Sequence, residues 1–564
     1  MRLPGTLRLS GLEWRLLLVL LACYVYFLPR YADWSQGSRV ALILSLVTEH
    51  RLEIDHFVWS TGDYADVNGH QYSDKAPGTA LLGVPPYAAA RVLLQTPLGE
   101  QLVERLARGE ALRQTLKPGE AVREKVDFAI AQAVATWAVI AVPASILGVV
   151  LFRVLSSIIA SERARLAVVL TYGLATSAFP YSGALYSHQL TAALLFGAFA
   201  LIWACREPGT LVGMARQPGT VRLLTVGLLL GLALISEYPT ALIAGGIGLY
   251  LLALTHRPLD CIVVGIGALP ALVAMGIHNQ LIFNTPLPVG YSYSTLWQTE
   301  HQTGFFSLSV PTWDAFWGIT FGAYRGLFYV SPVLLLGIVG LSVLLSRRGL
   351  RAEGILAVWC IFSFITFNSS SVMWTGGYGV GPRYLVPMLP FLALGIGAAL
   401  DQWGRFASFR ALTAVLIAWS AFVTWSLTIG GQSFPDFDPE PLWHLALPAL
   451  LQGDIARNLG TLAGLRGWWS VLPLALVVLG LLAMGSPLPN PSPVRGRGEK
   501  DAMNQGAMPA GGAMPAGGAM NRARTRADLV RAQFIAPHTP APTTLAPATS
   551  APNGPEGISS PAGV

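Results

Sequence analysis

The sequence has 564 residues, of which 53% are hydrophobic and only 12% charged, and its formal net charge is +7. A soluble domain carries about 25% charged residues, so this composition excludes a soluble protein and indicates one that a bilayer surrounds. The arginines lie between apolar runs, where membrane proteins collect positive charge on the cytoplasmic side. The net charge therefore does not indicate nucleic-acid binding.

The apolar runs predict an all-α, polytopic transmembrane bundle of about twelve spans within residues 1–486. A span needs about 20 mostly apolar residues to cross the hydrocarbon core. The predicted spans are 12–29, 128–152, 164–180, 184–205, 222–236, 239–255, 260–283, 327–346, 353–368, 385–400, 411–430 and 469–486. The substantial outer loops between them are 30–127, 284–326, 369–384 and 431–468.

The interpretation of segment 79–94 determines on which side of the membrane every later loop lies. The segment is apolar enough to count as one more span, which would reverse all of these loops. It is short, contains Pro85-Pro86, and is interpreted here as a helix on the outer membrane surface. With this interpretation the later arginine clusters all fall on the side of the N-terminus. These clusters contain Arg153, Arg163, Arg165, Arg206, Arg216, Arg222, Arg257, Arg347, Arg348, Arg351, Arg405, Arg410, Arg495 and Arg497. The positive-inside rule then places this side, with both termini, in the cytoplasm.

The composition changes abruptly near residue 487, where Pro, Gly, Ala and Ser begin to dominate. A GGAMPA-like repeat occupies 506–520. Such a segment cannot bury a core, so we expect 487–564 to be a disordered cytoplasmic tail.

The first outer loop, 30–127, concentrates carboxylates, and the candidates for chemistry among them are Asp33, Asp63 and Asp74. Acidic side chains near the outer leaflet can bind a metal, act as a base toward a hydroxyl group, or stay solvated. The sequence leaves these three alternatives open.

The same loop also predicts two helices at the membrane surface. The stretch 37–50 has the pattern of an amphipathic helix lying at the interface, and YSDKAPG at 72–78 leads into the second surface helix. Lys75 would then sit at head-group depth, where it could meet a lipid phosphate.

Two arginines are expected at the outer ends of later spans, Arg325 beside Gly326 and Arg383 after Gly381-Pro382. An arginine can hold a phosphate through two hydrogen bonds, and a neighbouring glycine allows the phosphate to approach. The alternatives are snorkelling or the capping of backbone carbonyls.

Other candidates could bind an acceptor or support the site from behind. His188 and Glu237 are ionisable residues near outer span ends, with a structural ion pair as the alternative. Tyr291 and His301 could line an acceptor site, and the ring pair Trp374 and Tyr378 could stack on a sugar. Aromatic residues in such loops also serve as interfacial anchors.

The order of these features resembles the GT-C superfamily of integral-membrane glycosyltransferases, which use polyprenyl-phosphate sugars. The stretch SRVALILSLV followed by NGHQYSDKAPG is similar to a bacterial branch related to the aminoarabinose and dolichyl-phosphomannose-dependent transferases. The resemblance covers roughly residues 12–430. Further motifs fit it: FPYSGALYSHQ (179–189), GLALISEYP (231–239), FNTPLPVGYSY (283–293), YRGLFYVSP (324–332) and GGYGVGPRYLVPMLPFLAL (376–394).

The resemblance implies transfer of a sugar from a polyprenyl-phosphate donor, with inversion, to a glycan, lipid or protein acceptor at the outer face of the bacterial cytoplasmic membrane. Lys75, Arg325 and Arg383 would neutralise the departing phosphate. Asp33, Asp63 or Asp74 would deprotonate the acceptor, or Asp63 and Asp74 would hold a divalent ion such as Mg or Mn.

One position departs from the family pattern. Aminoarabinose transferases place an acidic residue about three positions before Arg39, where this chain has Gln36; Asp33 is the nearest carboxylate. Two alternatives stay open: a transporter or flippase of lipid-linked sugars, and a non-catalytic membrane protein that keeps the fold.

Overall fold

The computed structural model describes residues 9–29, 33–109, 122–206, 217–304, 307–436 and 438–484. All of them belong to the compact unit formed by residues 1–489, and the predicted tail at 487–564 lies outside the described residues. The described chain is mostly helical, as the all-α prediction requires.

Within the described residues, helices follow one another along the chain with a single two-stranded hairpin between them. The first half contains α1 (Gly11–Tyr26), α2 (Trp34–Leu44), β1 (Tyr64–Val67), β2 (His70–Ser73), α3 (Gly78–Leu94), α4 (Pro97–Arg108), α5 (Val122–Ala135), α6 (Val142–Val154), α7 (Glu162–Leu174), α8 (Ala178–Ser182), α9 (Ser187–Trp203), α10 (Thr220–Ser236), α11 (Ala241–Thr255) and α12 (Pro258–Phe283). The second half contains α13 (Gln298–Gln302), α14 (Trp313–Thr320), α15 (Leu327–Val330), α16 (Leu334–Ser346), α17 (Arg351–Ser369), α18 (Leu389–Trp403), α19 (Ala407–Gly430), α20 (Leu447–Leu451), α21 (Leu459–Leu462) and α22 (Leu472–Ala483).

Six helical stretches of the described chain are long and apolar enough to cross a membrane, which makes this a multi-pass membrane protein. They are Arg123–Ser157, Tyr238–Thr255, Pro258–Phe283, Arg348–Ser369, Arg383–Trp403 and Ala407–Gly430. The other six predicted spans also contain helices (α1, α7, α9, α10, α16 and α22), but these have only 12 to 17 residues. The predicted number of about twelve spans is therefore not confirmed.

The helix predicted at 37–50 forms, but its environment differs from the expectation. Every residue from Ser35 to Leu44 in α2 is buried, whereas an amphipathic helix at the interface would expose one face. The reason is that α3, α5, β2 and the short turn Asp55–Ser60 enclose α2. Protein therefore covers every face of α2, including the apolar face that was expected to contact lipid. The position of α2 relative to the membrane stays a prediction.

The hairpin sets the register of the segment that carries Lys75. Asn68 and Gly69 both have positive φ, 57° and 84°, which is the geometry of the two-residue turn that Asn-Gly favours. Tyr64 consequently pairs with Ser73 and Val67 with His70. Continued by one residue, this register places Asp63 opposite Asp74.

Helix α3 begins where the chain passes close to the end of α10. A side chain at Gly78 would collide with the backbone of Ile235 and the hydroxyl of Ser236, so only glycine permits this approach. Pro85 and Pro86 lie within α3 without ending it. Its location on the membrane surface stays a prediction.

Candidate functional site

Three segments predicted as outer loops meet in one place: the start of α2, the hairpin with the loop at 290–297, and the loop at 376–384. Ala65 in β1 forms a β-bridge with Ser294, which joins the hairpin to the loop at 290–297. The ion pair between Asp33 and Arg383 joins the first and the last.

Asp33 caps the N-terminus of α2, which fixes the direction of its carboxylate. Its Oδ1 accepts a hydrogen bond from the backbone N–H of Gln36 at 3.0 Å. Its Oδ2 lies 3.7 Å from Nη1 of Arg383, which is an ion pair beyond hydrogen-bond distance. Burial raises the pKa of Asp33 above its ordinary value, and the positive charge of Arg383 opposes that rise.

Arg383 lies between two aromatic rings and is only loosely hydrogen-bonded. Its guanidinium is 5.0 Å from the ring of Tyr186 and 5.1 Å from that of Tyr384. Nη1 donates to the carbonyl of Tyr378 at 3.3 Å, and Nη2 donates to the Tyr384 hydroxyl at 3.4 Å. Its Nε is buried and has no hydrogen-bond partner among the described residues. This arginine therefore keeps the capacity to bind another acceptor.

Lys75 forms a largely buried triad with the two carboxylates that the hairpin brings together. Its Nζ lies 2.9 Å from Oδ2 of Asp63 and 3.2 Å from Oδ1 of Asp74. Trp297 Nε1 donates to the other oxygen of Asp63 at 2.9 Å, and Ser294 Oγ lies 3.0 Å from Oδ2 of Asp74. Fully ionised, the triad carries a net charge of −1.

The pKa values within the triad shift in different directions. Burial opposes the charge of Lys75, but the two carboxylates outweigh it and raise the pKa of Lys75. Burial likewise opposes the charge of Asp63, yet Lys75 keeps the pKa of that carboxyl below its ordinary value. For Asp74 burial prevails, and its pKa is raised. Asp63 is therefore the carboxylate that stays ionised most readily.

The triad does not fit the divalent ion considered for Asp63 and Asp74. The ammonium group of Lys75 lies between these carboxylates, at the position where a metal would bind, and its positive charge would repel a second cation. In the described part of the chain, no three His, Cys, Asp or Glu side chains are grouped closely enough to hold a metal ion.

Arg325 lies nearby, but its guanidinium is occupied by the loop that leads to Arg383. It is only 1% exposed and donates to the carbonyls of Thr375 at 3.0 Å and Gly379 at 2.7 Å. It also donates to the carbonyl of Gly377 and to the Tyr324 hydroxyl. This arrangement is the carbonyl capping named above as the alternative to phosphate binding.

His188 and Glu237 meet behind the rings that surround Arg383. Nδ1 of His188 lies 3.2 Å from Oε1 of Glu237. The imidazole stacks on Tyr186 at 5.9 Å and meets the edge of Tyr384 at 5.4 Å. The two residues thus form the structural pair that the sequence left open, in contact with the aromatic rings around Arg383.

Tyr291 and His301 border the triad. Lys75 Nζ is 5.5 Å from the Tyr291 ring centre, and the His301 ring lies 4.9 Å from that of Tyr291. His301 Nδ1 is hydrogen-bonded to Ser307 Oγ at 2.9 Å, and burial lowers the pKa of His301 to about 4. The imidazole is therefore neutral at physiological pH.

The two remaining candidates contribute less directly. The ring of Trp374 packs against Gly318 in α14, so this residue supports the loop through packing. Tyr378 contributes its backbone carbonyl, which accepts hydrogen bonds from Arg383 and from the Tyr186 hydroxyl at 2.9 Å.

Gln36, which stands at the position of the expected acid, is buried and joins neighbouring elements through hydrogen bonds. Its side chain is 1% exposed, and its Oε1 accepts hydrogen bonds from the Leu185 backbone N–H at 2.9 Å and from Gln132 Nε2 at 3.2 Å. It joins α2 to α5 and to the turn before α9.

Four residues of the site were not among the sequence candidates: Tyr186, Ser294, Trp297 and Tyr384. Tyr186 lies two residues before His188 and Tyr384 directly follows Arg383, so their proximity in sequence could have suggested them. Ser294 and Trp297 lie in a loop without a periodic pattern, and no signal in the sequence identifies them.

No protein-family model and no curated protein matches the sequence. Among solved structures, the chain is similar to ArnT from Cupriavidus metallidurans bound to undecaprenyl phosphate, with 14% identity, a TM-score of 0.41, and coverage of 84% of this chain and 78% of ArnT. It is also similar to the oligosaccharyltransferase AglB from Archaeoglobus fulgidus in complex with an inhibitory peptide and a dolichol-phosphate. There the identity is 11% and the TM-score 0.39, with 74% of this chain and 55% of AglB covered. Both are GT-C glycosyltransferases, the superfamily that the sequence motifs resemble.

Proposed function

We propose that this chain is a GT-C-type glycosyltransferase that transfers a sugar from a polyprenyl-phosphate donor to a glycan, lipid or protein acceptor. In this proposal the reaction takes place at the outer face of the cytoplasmic membrane, and both termini are cytoplasmic. The observation that carries it is the largely buried pair of Asp33 and Arg383, a carboxylate facing a cation whose Nε has no hydrogen-bond partner among the described residues.

The chemistry of the pair matches the two charges that such a transfer creates. The acceptor hydroxyl loses its proton to Asp33, its oxygen bonds to the anomeric carbon of the sugar, and the bond from that carbon to the phosphate oxygen breaks. The electron pair leaves with the phosphate, whose growing negative charge Arg383 stabilises. Attack from the side opposite the phosphate gives inversion.

The other cations contribute around this pair. Arg325 holds the loop on which Arg383 lies, and Lys75 borders the site while it fixes Asp63 and Asp74. The aromatic residues Tyr291 and Trp297 flank the triad, where they can contact a sugar ring.

Consumption of a radiolabelled polyprenyl-phosphate sugar by the purified protein tests the proposal. Wild type should consume the donor and yield polyprenyl phosphate, whereas Arg383→Ala and Lys75→Ala should not, although both variants remain in the membrane. Full activity of these variants would rule out this site. Translocation of an intact labelled donor in proteoliposomes would favour the flippase, and the absence of both activities would favour a non-catalytic protein.

A further inference from the structure

The three cations first considered for the donor phosphate differ sharply in how much of their hydrogen-bonding capacity is already used. Arg325 makes four hydrogen bonds, three of them to carbonyls of one loop. Lys75 lies between two carboxylates at 2.9 and 3.2 Å. Arg383 makes only hydrogen bonds of 3.3 and 3.4 Å, and its Nε is buried without a partner among the described residues. Only Arg383 can turn to a new anion without the loss of a strong contact.

Asp33 is placed as the counterpart of this arginine. Its Oδ1 is held by the N-cap hydrogen bond, whereas its Oδ2 faces Arg383 at 3.7 Å. Arg383 is the cation that opposes the effect of burial on the Asp33 carboxyl. Whatever draws Arg383 away from Asp33 therefore makes this carboxylate a stronger base.

We propose that Asp33 and the donor phosphate share Arg383, so that binding of a polyprenyl phosphate group releases Asp33 to act as the base. This inference rests on the proposed function and adds its regulation: the donor binds first, and the base gains its strength only when the donor is present. Before donor binding, the ion pair keeps Asp33 from deprotonating a hydroxyl or water.

Sharing of Arg383 predicts that a substitution of Asp33 has opposite effects on the binding of polyprenyl phosphate and on sugar transfer. If Asp33 competes with the phosphate for Arg383, then Asp33→Asn should bind polyprenyl phosphate more tightly than wild type while it loses transfer. Asparagine still caps a helix, so α2 should remain intact. An adjacent opposite charge shifts a carboxyl pKa by one unit or more, and coupling is reciprocal, so the gain in affinity should be about tenfold.

The experiment measures the dissociation constant of undecaprenyl phosphate for the full-length protein in detergent. Undecaprenol and inorganic phosphate serve as comparison ligands, which separate recognition of the lipid from recognition of the phosphate. Asp55→Asn is the control, because it removes the same charge from an exposed position of the same loop and should change the affinity less than about twofold. Thermal unfolding of each variant confirms that it is folded.

The outcomes separate the inference from the function on which it rests. Tighter binding by Asp33→Asn, with transfer lost, supports the sharing of Arg383. Unchanged or weaker binding by a folded Asp33→Asn overturns it and leaves the proposed function standing. A gain confined to Asp63→Asn would move the role to Lys75 and also overturn it. If wild type does not distinguish undecaprenyl phosphate from undecaprenol, both proposals fall.

Discussion

The Nζ atom of Lys75 lies 2.9 Å from Oδ2 of Asp63, and this contact closes the open end of the hairpin between two residues that are twelve positions apart in sequence. Asp63 and Asp74 are both buried, so each depends on Lys75 for its counter-charge. Lys75 is therefore the cation that pairs with both carboxylates at the open end of the hairpin.

Lys75→Met should destabilise the protein strongly, because it leaves two buried carboxylates side by side. Loss of one partner from a buried ion pair costs about 3–5 kcal/mol. Thermal unfolding in detergent measures the effect. The double variant Lys75→Met/Asp63→Asn should recover part of the loss, since only one carboxylate then lacks a partner. A single variant as stable as wild type would contradict the triad.

Arg325→Lys should reduce stability much more than Arg383→Lys does. A lysine in place of Arg325 cannot reach the carbonyls of Thr375, Gly377 and Gly379 together, and each buried acceptor left without a donor costs about 1–3 kcal/mol. The contacts of Arg383 are longer, so its replacement should cost less than about 1 kcal/mol. Thermal unfolding of the matched pair checks this order, and equal losses would show that Arg325 does not organise the loop.

The sequence predicted several residues of the site, because which residues can meet depends on the side of the membrane on which each loop lies. The positive-inside rule placed 30–127, 284–326 and 369–384 on one face, and the structure indeed brings Asp33 and Arg383 together. The contact between Asp63 and Lys75 was also accessible in principle, because Asn68-Gly69 is a strong turn signal that fixes the register of the strands around it.

The function of a given arginine could not be predicted in this way. Whether Arg325 or Arg383 is available to a ligand depends on where the loop at 375–379 directs its carbonyls, and that direction is set by tertiary contacts. Gly379 pairs with Phe434, and the N–H of Val380 donates to the Tyr181 hydroxyl at 3.0 Å. Likewise, the amphipathic pattern of α2 does not tell whether lipid or protein covers its apolar face.

The hairpin should be more stable at mildly acidic pH than at alkaline pH because of one surface pair. His70 Nδ1 lies 2.7 Å from Asp55 Oδ2, and this contact raises the pKa of His70. A raised pKa gives stability that is fully present below the unfolded value of about 6.5 and is lost as the pH rises through the folded value. Hydrogen exchange of the hairpin amides, corrected for intrinsic rates, should show less protection at pH 8.5 than at pH 6. His70→Gln should remove the difference, and a pH dependence that persists in this variant would point to another group.

The orientation of 79–94 can be tested by labelling single introduced cysteines with a membrane-impermeant maleimide in intact cells. Of the four natural cysteines, Cys23, Cys205 and Cys360 are buried and Cys261 is partly buried, so background labelling should be low. If 79–94 lies on the outer surface, cysteines at residues 66 and 110 should both react from outside, and one at residue 349 should react only after permeabilisation.

If 79–94 crosses the membrane, position 66 reacts from outside but position 110 does not. That result would reverse every later loop and separate Arg383 from the face that carries Asp33, which the 3.7 Å contact between them does not allow. Labelling at 110 therefore tests the topology and the site together.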